Sequence, residues 1–580
     1  MNMRFTQIGL PAFLLGGLLC SCAAPLETNT SNALTETKNG LQGHWPQAAG
    51  PNHTWAGTGP SAPVEWSVSQ DKNILWRTLL PNGGQSGIAV WEDRLFLTTF
   101  AKDAGDENLM SAAIEGHCVD AKTGEILWSV PLLGSVKSPM LYAYSDSTTP
   151  SPVTDGKLVV FTNASGVMAA FDFDGNEVWR REWSPWGRPP YPFNKQHEPI
   201  LYDGVVVNVE PRDGNPDEVF GWNYLRGIDV NTGETLWEAE DGTTTYTTSV
   251  FGFAPDGRPA IMTGRGGHHG VPERPIGLSL VSLAPGEAGK TIWRFEPNTG
   301  EDGQPVAEGK ELGNTHAWQV LWVMHWNKQH AYMFNLNPVE SHVVIDAATG
   351  EMLSKTSMIH DVDYRPWDIT KQQHKLLKNV NIRDVRDWSP RVNAGPDNYI
   401  YVYPAWHTNI VADGYHYFLT STAHVRNKRV HPKGKAGPSH SIGRVHIETG
   451  KTEYLELPVT VIRKPGEQDE FVYGVEVKTS TLNSHGAEAA GNPRSRSDGA
   501  NFPVFWGSPT NINGVLYFHT TLGITYAIDA DAPVLDASAV LAVNDLGPSG
   551  ETWSLNSISY ADGIIYHRSL KELVKIGVAP

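Results

Sequence analysis

A phrase that recurs along the chain limits its fold more than any other feature. It reads VDAKTGEILW over 119–128, FDFDGNEVW over 171–179, IDVNTGETLW over 228–237, IDAATGEML over 345–353 and HIETGKTEYL over 446–455. Interleaved with it is a second phrase, a turn joined to an alternating strand: WEDRLFLTT, VTDGKLVVFT, LYDGVVVNV, VADGYHYFL, NINGVLYFH and YADGIIYHR. Asp-Gly and Asn-Gly favour two-residue hairpins, because both central positions then accept φ > 0. The Thr-Gly-Glu segment closes a second hairpin, and the Trp or Leu after it can anchor an outer strand between neighbouring units. Each unit is therefore four antiparallel strands: a, tight turn, b, long loop, c, tight turn, d. Such units cannot bury themselves alone and stack radially as propeller blades.

Counting units gives eight, with first strands starting near Gly87, Ser151, Glu198, Thr248, His316, Thr408, Ser508 and Asn556. Units four and five are degenerate, which leaves seven blades as the alternative. The last unit, SISYADGIIYHRSLKELVKIG, stops after strand c, and a spare outer-strand sequence, NILWRTLLP (73–81), precedes the first unit. These fragments complement each other. The expected fold is all-β: an eight-bladed β-propeller of four-stranded antiparallel blades over 44–580, closed by an N-terminal outer strand that removes the sheet edge. Composition agrees, with 57 Gly, 40 Pro and 20 Trp in 580 residues. At 40% hydrophobic and 19% charged, the chain can fill a large core. Its net charge of -18 argues against a sequence-independent nucleic-acid binder.

Together with the opening HWPQAAGPN (44–52), the repeat resembles the family of pyrroloquinoline-quinone-type (PQQ-like) propellers over about residues 44–577. That family holds quinoprotein alcohol dehydrogenases, lipid-anchored outer-membrane assembly scaffolds and other envelope proteins. The resemblance implies PQQ with calcium as a cofactor to consider. The dehydrogenases commonly carry a vicinal cysteine pair over the quinone and a Glu/Asn/Asp calcium set. No Cys-Cys and no C-x-x-C-H occur here, and the calcium set finds no matching positions. Cofactor and metal therefore stay open, as does catalysis. The scaffold members are shorter and lack such long insertions; envelope proteins are the partners they suggest.

Residues 1–22, MNMRFTQIGLPAFLLGGLLCSC, carry Arg4 and then a short apolar stretch, the pattern of an export signal. Its end, Leu19-Cys20-Ser21-Cys22, resembles a bacterial lipobox with cleavage before Cys22. The resemblance implies a signal peptide over 1–21, a lipidated Cys22, and attachment of the exported protein to the cell envelope. With no acidic residue directly after Cys22, the outer membrane is the expected address, and the anchor is the only expected membrane contact. A plain signal cut after Ala23 or Ala24 is the alternative. Residues 22–43 read as a flexible tether. Cys118 is then the one remaining thiol, and its place at a strand start (HCVDA) favours a buried, inert side chain.

The long insertions fall almost entirely in b–c loops (100–116, 209–225, 264–276, 421–441) and d–a loops (182–196, 297–314, 356–405, 459–503). Both kinds emerge on one face, while the tight turns share the other. Long loops on one end of a rigid scaffold are where binding and catalysis usually sit. Of the 21 histidines, the d–a segments hold His197, His316, His407 and His485. The b–c segments hold His268, His269, His424, His431, His440, His519 and His567. His197, His316 and His407 are the candidate acids or bases, near strand a in their units. Arg212, Arg265, Arg426 and Arg568 are candidate anion forks, with Arg365 among further arginines on this face. His268, His269 and His424 are candidate ligand contacts, the first two also a weaker metal pair. Trp406, Trp506 and Trp553 are candidates for stacking on a ring, with inter-blade packing as the alternative. Glu210, Asp213 and Asp217 form a weak cation candidate. The face as a whole is read as binding an anionic small molecule or polysaccharide, a carbohydrate being the class expected, with its processing left open.

Overall fold

The computed structural model describes residues 43–101, 113–134, 147–183, 197–211, 223–243, 248–265, 277–297, 325–335, 341–382, 409–421, 429–430, 436–437, 440–474, 477, 479–487 and 507–579. Eight antiparallel blades make a β-propeller, as the repeat count predicts. Strand a of each is Ala89–Trp91, Val153–Thr154, Ile200–Tyr202, Val250–Phe253, His325–Trp326, Asn409–Ala412, Thr510–Ile512 and Ser559–Ala561. The fifth begins at His325, downstream of the expected start at His316. There the turn is Asn-Lys-Gln rather than Asp-Gly, and Trp326 Nε1 fixes the strand by donating to Val250 O of blade 4 at 2.8 Å.

Ring closure also follows the sequence. Ile74–Leu79 pairs antiparallel with Glu572–Ile576 and supplies the missing outer strand of blade 8. The tight turns have the backbone that their residues favour. Asp203-Gly204 (φ 47° and 77°), Asp413-Gly414, Asn513-Gly514 and Asp562-Gly563 each place two consecutive residues at positive φ. In the c–d turns the repeat Asp caps the loop: Asp120 Oδ1 accepts from the N–H groups of Lys122 (2.7 Å) and Thr123 (2.8 Å).

Tryptophans of the outer strands dock on the next blade. Trp128 Nε1 donates to Phe173 O (2.9 Å), Trp179 to Val230 O (2.8 Å) and Trp293 to Ala347 O (2.8 Å). Trp76 of the closing strand does the same to Ala121 O at 3.2 Å. The indole lies over the turn glycine so closely that a Cβ on Gly233 or Gly350 would come within 3 Å of it. Glycine serves there for space as well as for φ.

Two insertions turn away from the loop-rich face. Val362–Arg365 adds parallel to the outer strand Thr452–Leu457 of blade 6, and Leu377–Val380 adds beyond it. The hairpin of Thr460–Ile462 and Glu470–Val472 lies against blade 7, where Arg463 pairs with Asp545. Part of 356–405 and part of 459–503 thus cover outer edges rather than crown the channel.

The N-terminal segment lies across the inner strands at their tight-turn end. His44 stacks on Trp91 (4.2 Å between centroids), and Trp45 exchanges backbone hydrogen bonds with Val90 of blade 1. Pro46 O accepts from Thr154 N of blade 2, and Gln47 bonds Leu201 of blade 3 through both amide atoms. His53 packs on Phe251 of blade 4, and Trp55 meets His325 of blade 5 edge-on. Ala56–Gly57 then runs parallel to Asn511–Ile512 of blade 7, and Tyr560 of blade 8 donates to Pro60 O. This one segment closes the floor of the central channel.

Candidate functional site

Strand b ends, and strands a and c begin, on the loop-rich face. Around the axis there, backbone N–H groups opening strand a are capped by side chains of the next blade. Gly87 N donates to Ser151 Oγ (2.8 Å), Ser151 N to Glu198 Oε2 (2.6 Å) and Glu198 N to Thr248 Oγ1 (3.2 Å). Glu198 thus puts a carboxyl where its neighbours use hydroxyls. Desolvation lifts its pKa to about 7, against the opposing pull of the Ser151 hydrogen bond. Sequence reasoning missed it, because a Glu in QHEPIL resembles any strand-start residue; its equivalence to Ser151 and Thr248 was the available signal.

His197, beside it, turns to the seam between blades 3 and 4. Its Nε2 lies 3.3 Å from Ser249 Oγ, which donates to Thr263 Oγ1 at 2.9 Å. Because the hydroxyl proton goes to Thr263, the imidazole is the donor to Ser249 and Nε2 carries its hydrogen. Thr243 Oγ1 closes on the same Thr263 hydroxyl. Two residues along strand b, on the same side of the sheet, comes Arg265.

Arg265 is the unusual group of this seam. It is 1% exposed, yet its Nε and Nη1 have no hydrogen-bond partner among the described residues. Nη2 makes one long contact to Leu278 O (3.4 Å), and the nearest carboxylate, Glu296, stands 3.8 Å away. Asp241 is already held by Arg294, Ser279 and Thr291. Desolvation lowers the Arg265 pKa, with Asp241 and Glu296 pulling the other way. A guanidinium stays charged even so. A buried cation with open donors is a strong anion acceptor. Gly277, its partner across the ladder, keeps the space free, since a Cβ there would collide with Phe295 O and stand 3.3 Å from Arg265 Nη2.

Other expected residues behave differently. Arg568 is fully buried and donates through Nη1 to Thr98 O (2.7 Å) and Ser86 Oγ (3.3 Å), tying blade 8 to blade 1. Trp553 is buried, and its carbonyl accepts from Leu570 N. His519 and His567 bond each other (3.1 Å) inside the seam of blades 7 and 8, both held neutral by desolvation. Arg365 sits on the added outer strand of blade 6 and pairs with Glu453, far from the mouth that the loop assignment gave it. Glu210 is no cation ligand: Arg181 (2.8 Å) and Arg226 (3.1 Å) already occupy it. Cys118 is buried, and desolvation pushes its thiol up to about 12, as an inert side chain requires. His316, His407, Arg212, His268, His269, Trp406, His424, Arg426, Trp506, Asp213, Asp217 and Cys22 lie outside the described residues.

A family profile described as outer membrane protein assembly factor BamB matches residues 67–269, the closing strand and the blades up to strand b of the fourth. Over those residues the chain matches a PQQ-like repeat, and its fold is an eight-bladed β-propeller. A search of curated proteins finds no match. Among solved structures, this propeller is similar to a europium-containing methanol dehydrogenase (11% identity, 92% of this chain and 90% of that one, TM-score 0.47). It is also similar to quinohemoprotein alcohol dehydrogenase from Comamonas testosteroni (13%, 93% and 81%, TM-score 0.46) and to BamB from Moraxella catarrhalis (11%, 76% and 96%, TM-score 0.30). At such scores the likenesses leave activity open. No three His, Cys, Asp or Glu side chains among the described residues group as metal ligands, and the Cys118 thiol is enclosed in the core of blades 1 and 2.

Proposed function

We propose that this PQQ-like propeller is a lipid-anchored envelope protein that binds an anionic ligand at the loop-rich end of the seam between blades 3 and 4. The observation that carries the reading is Arg265, a buried guanidinium whose Nε and Nη1 the described chain leaves open. His197 and the Ser249–Thr263 hydroxyls supply hydrogen-bonding groups beside it. A carboxylate or sulfate would meet the open donors, and acidic carbohydrate is the class to test first. The match to an outer-membrane assembly factor and the lipobox-like Cys22 support residence in the envelope.

Calorimetric titration with polygalacturonate, chondroitin sulfate and neutral dextran tests it. Binding of an acidic polymer, weakened by salt and reduced tenfold or more by Arg265→Met, is expected, since a hydrogen bond to a charged group contributes about 1.5–3 kcal/mol. Equal affinity for the variant, or a preference for dextran, removes the assignment.

A further inference from the structure

We propose that the tight-turn face is the side this propeller turns toward the membrane, so that the loop-rich face carrying Arg265 points away from the lipid. The proposal rests on the attachment through Cys22 and adds its geometry. The chain enters the propeller at Gly43, where a Cβ would strike the Asp562 carboxylate of the a–b turn in blade 8. The next residue, His44, stacks on Trp91 and accepts from Glu92 N (3.2 Å) at the a–b turn of blade 1. Trp45, fully buried, then fixes the entry by its paired backbone bonds to Val90. Whatever precedes Gly43 therefore leaves from the tight-turn face, near the axis.

The exit point favours one orientation. Twenty residues separate Cys22 from Gly43, and at full extension they reach about 70 Å. Bringing the loop-rich face to the lipid would require the tether to cross four strands and then climb a strand of six or seven residues. That path is roughly 40 Å at ordinary strand spacings. With the tight-turn face inward, the tether needs no detour.

The test uses the full-length lipidated protein in phosphatidylcholine vesicles that contain an acceptor-labelled lipid headgroup. Single fluorophores are placed by Lys122→Cys, in an exposed c–d turn, and by Glu551→Cys, in an exposed d–a segment, each with Cys118→Ala. Energy transfer several-fold stronger from position 122 is expected. Equal or reversed transfer from vesicle-bound protein overturns the orientation while leaving attachment intact. Protein that stays out of the vesicle fraction overturns the attachment, and the orientation falls with it. Should Cys118→Ala fail to fold, limited proteolysis of the vesicle-bound wild type gives the same discrimination. Cleavage near Glu551 should then match the lipid-free rate while cleavage at Lys122 slows, and equal slowing at both overturns the proposal.

Discussion

Arg265 and Arg568 each end strand b of their blade, on opposite sides of the ring, and the sequence offers them as the same kind of residue. Both are buried. Arg568 meets the carbonyl of Thr98 and the hydroxyl of Ser86 in the seam where the last blade joins the first. Arg265 faces a seam whose carboxylate is already occupied and whose hydroxyls bond one another. Burial of a cation is therefore no sign of a ligand by itself. What separates the two is that Arg568 is tied by two bonds through Nη1, whereas the described residues give Arg265 one long contact.

The sharpest way to break this comparison is to replace both guanidiniums with methionine. Arg568→Met strips the Thr98 carbonyl of its donor inside the closing seam and should lower unfolding free energy by about 3 kcal/mol. Arg265→Met removes a buried charge that the described residues leave unsatisfied, so stability should hold or rise by about 1 kcal/mol. Urea unfolding at equal m-values measures both. Comparable losses would mean that Arg265 is a structural tie as well.

A broader difference separates the histidines of the seams from Glu198 at the channel mouth, and it has a pH signature. His342 and His416 bond each other at 3.0 Å, and His325 lies against His416. Desolvation lowers His325 to about 4 and His342 to about 3. Between those values and the unfolded value near 6.5, the unfolded chain binds more protons, so stability falls as the solution is acidified through that window. The slope reaches about 1.4 kcal/mol per pH unit for each histidine. A melting temperature that does not drop between pH 7 and pH 5 would contradict this burial. Glu198 has the opposite sign. Its folded pKa of about 7 exceeds the ordinary 4.5, so its cost to stability grows as pH rises between them. Glu198→Gln should therefore stabilise the protein by about 1–2 kcal/mol at pH 8 and leave it unchanged at pH 4.

The legibility of the chain divides along the same line. Blade number, turn type and ring closure were readable because they repeat: Asp-Gly at one hairpin, Asp-x-x-Thr-Gly-Glu at the other, often with Trp three residues later. The fifth blade blurred where Asn-Lys-Gln replaced Asp-Gly. The site was only half readable. Arg265 and His197 were singled out, but so was Arg568, because a sequence shows which residues end a strand and not which acceptors face them. Glu198 escaped because its meaning lies in a hydrogen bond to Ser151, 47 residues away. The placement of the first part of 356–405 also failed, since parallel pairing of Val362–Arg365 with an outer strand leaves no turn motif to read.

The finest contrast is within the seam of blades 3 and 4, between the charged group and the neutral chain beside it. Ser249→Ala removes the hydroxyl that accepts from His197 Nε2 and donates to Thr263. Thr263 keeps Thr243, so the loss should be at most about 1 kcal/mol of stability. If the ligand engages Arg265 alone, affinity for an acidic polymer should change less than threefold, a small effect beside that of Arg265→Met. A tenfold loss would show that the imidazole, held in one tautomer by Ser249, reaches the ligand directly.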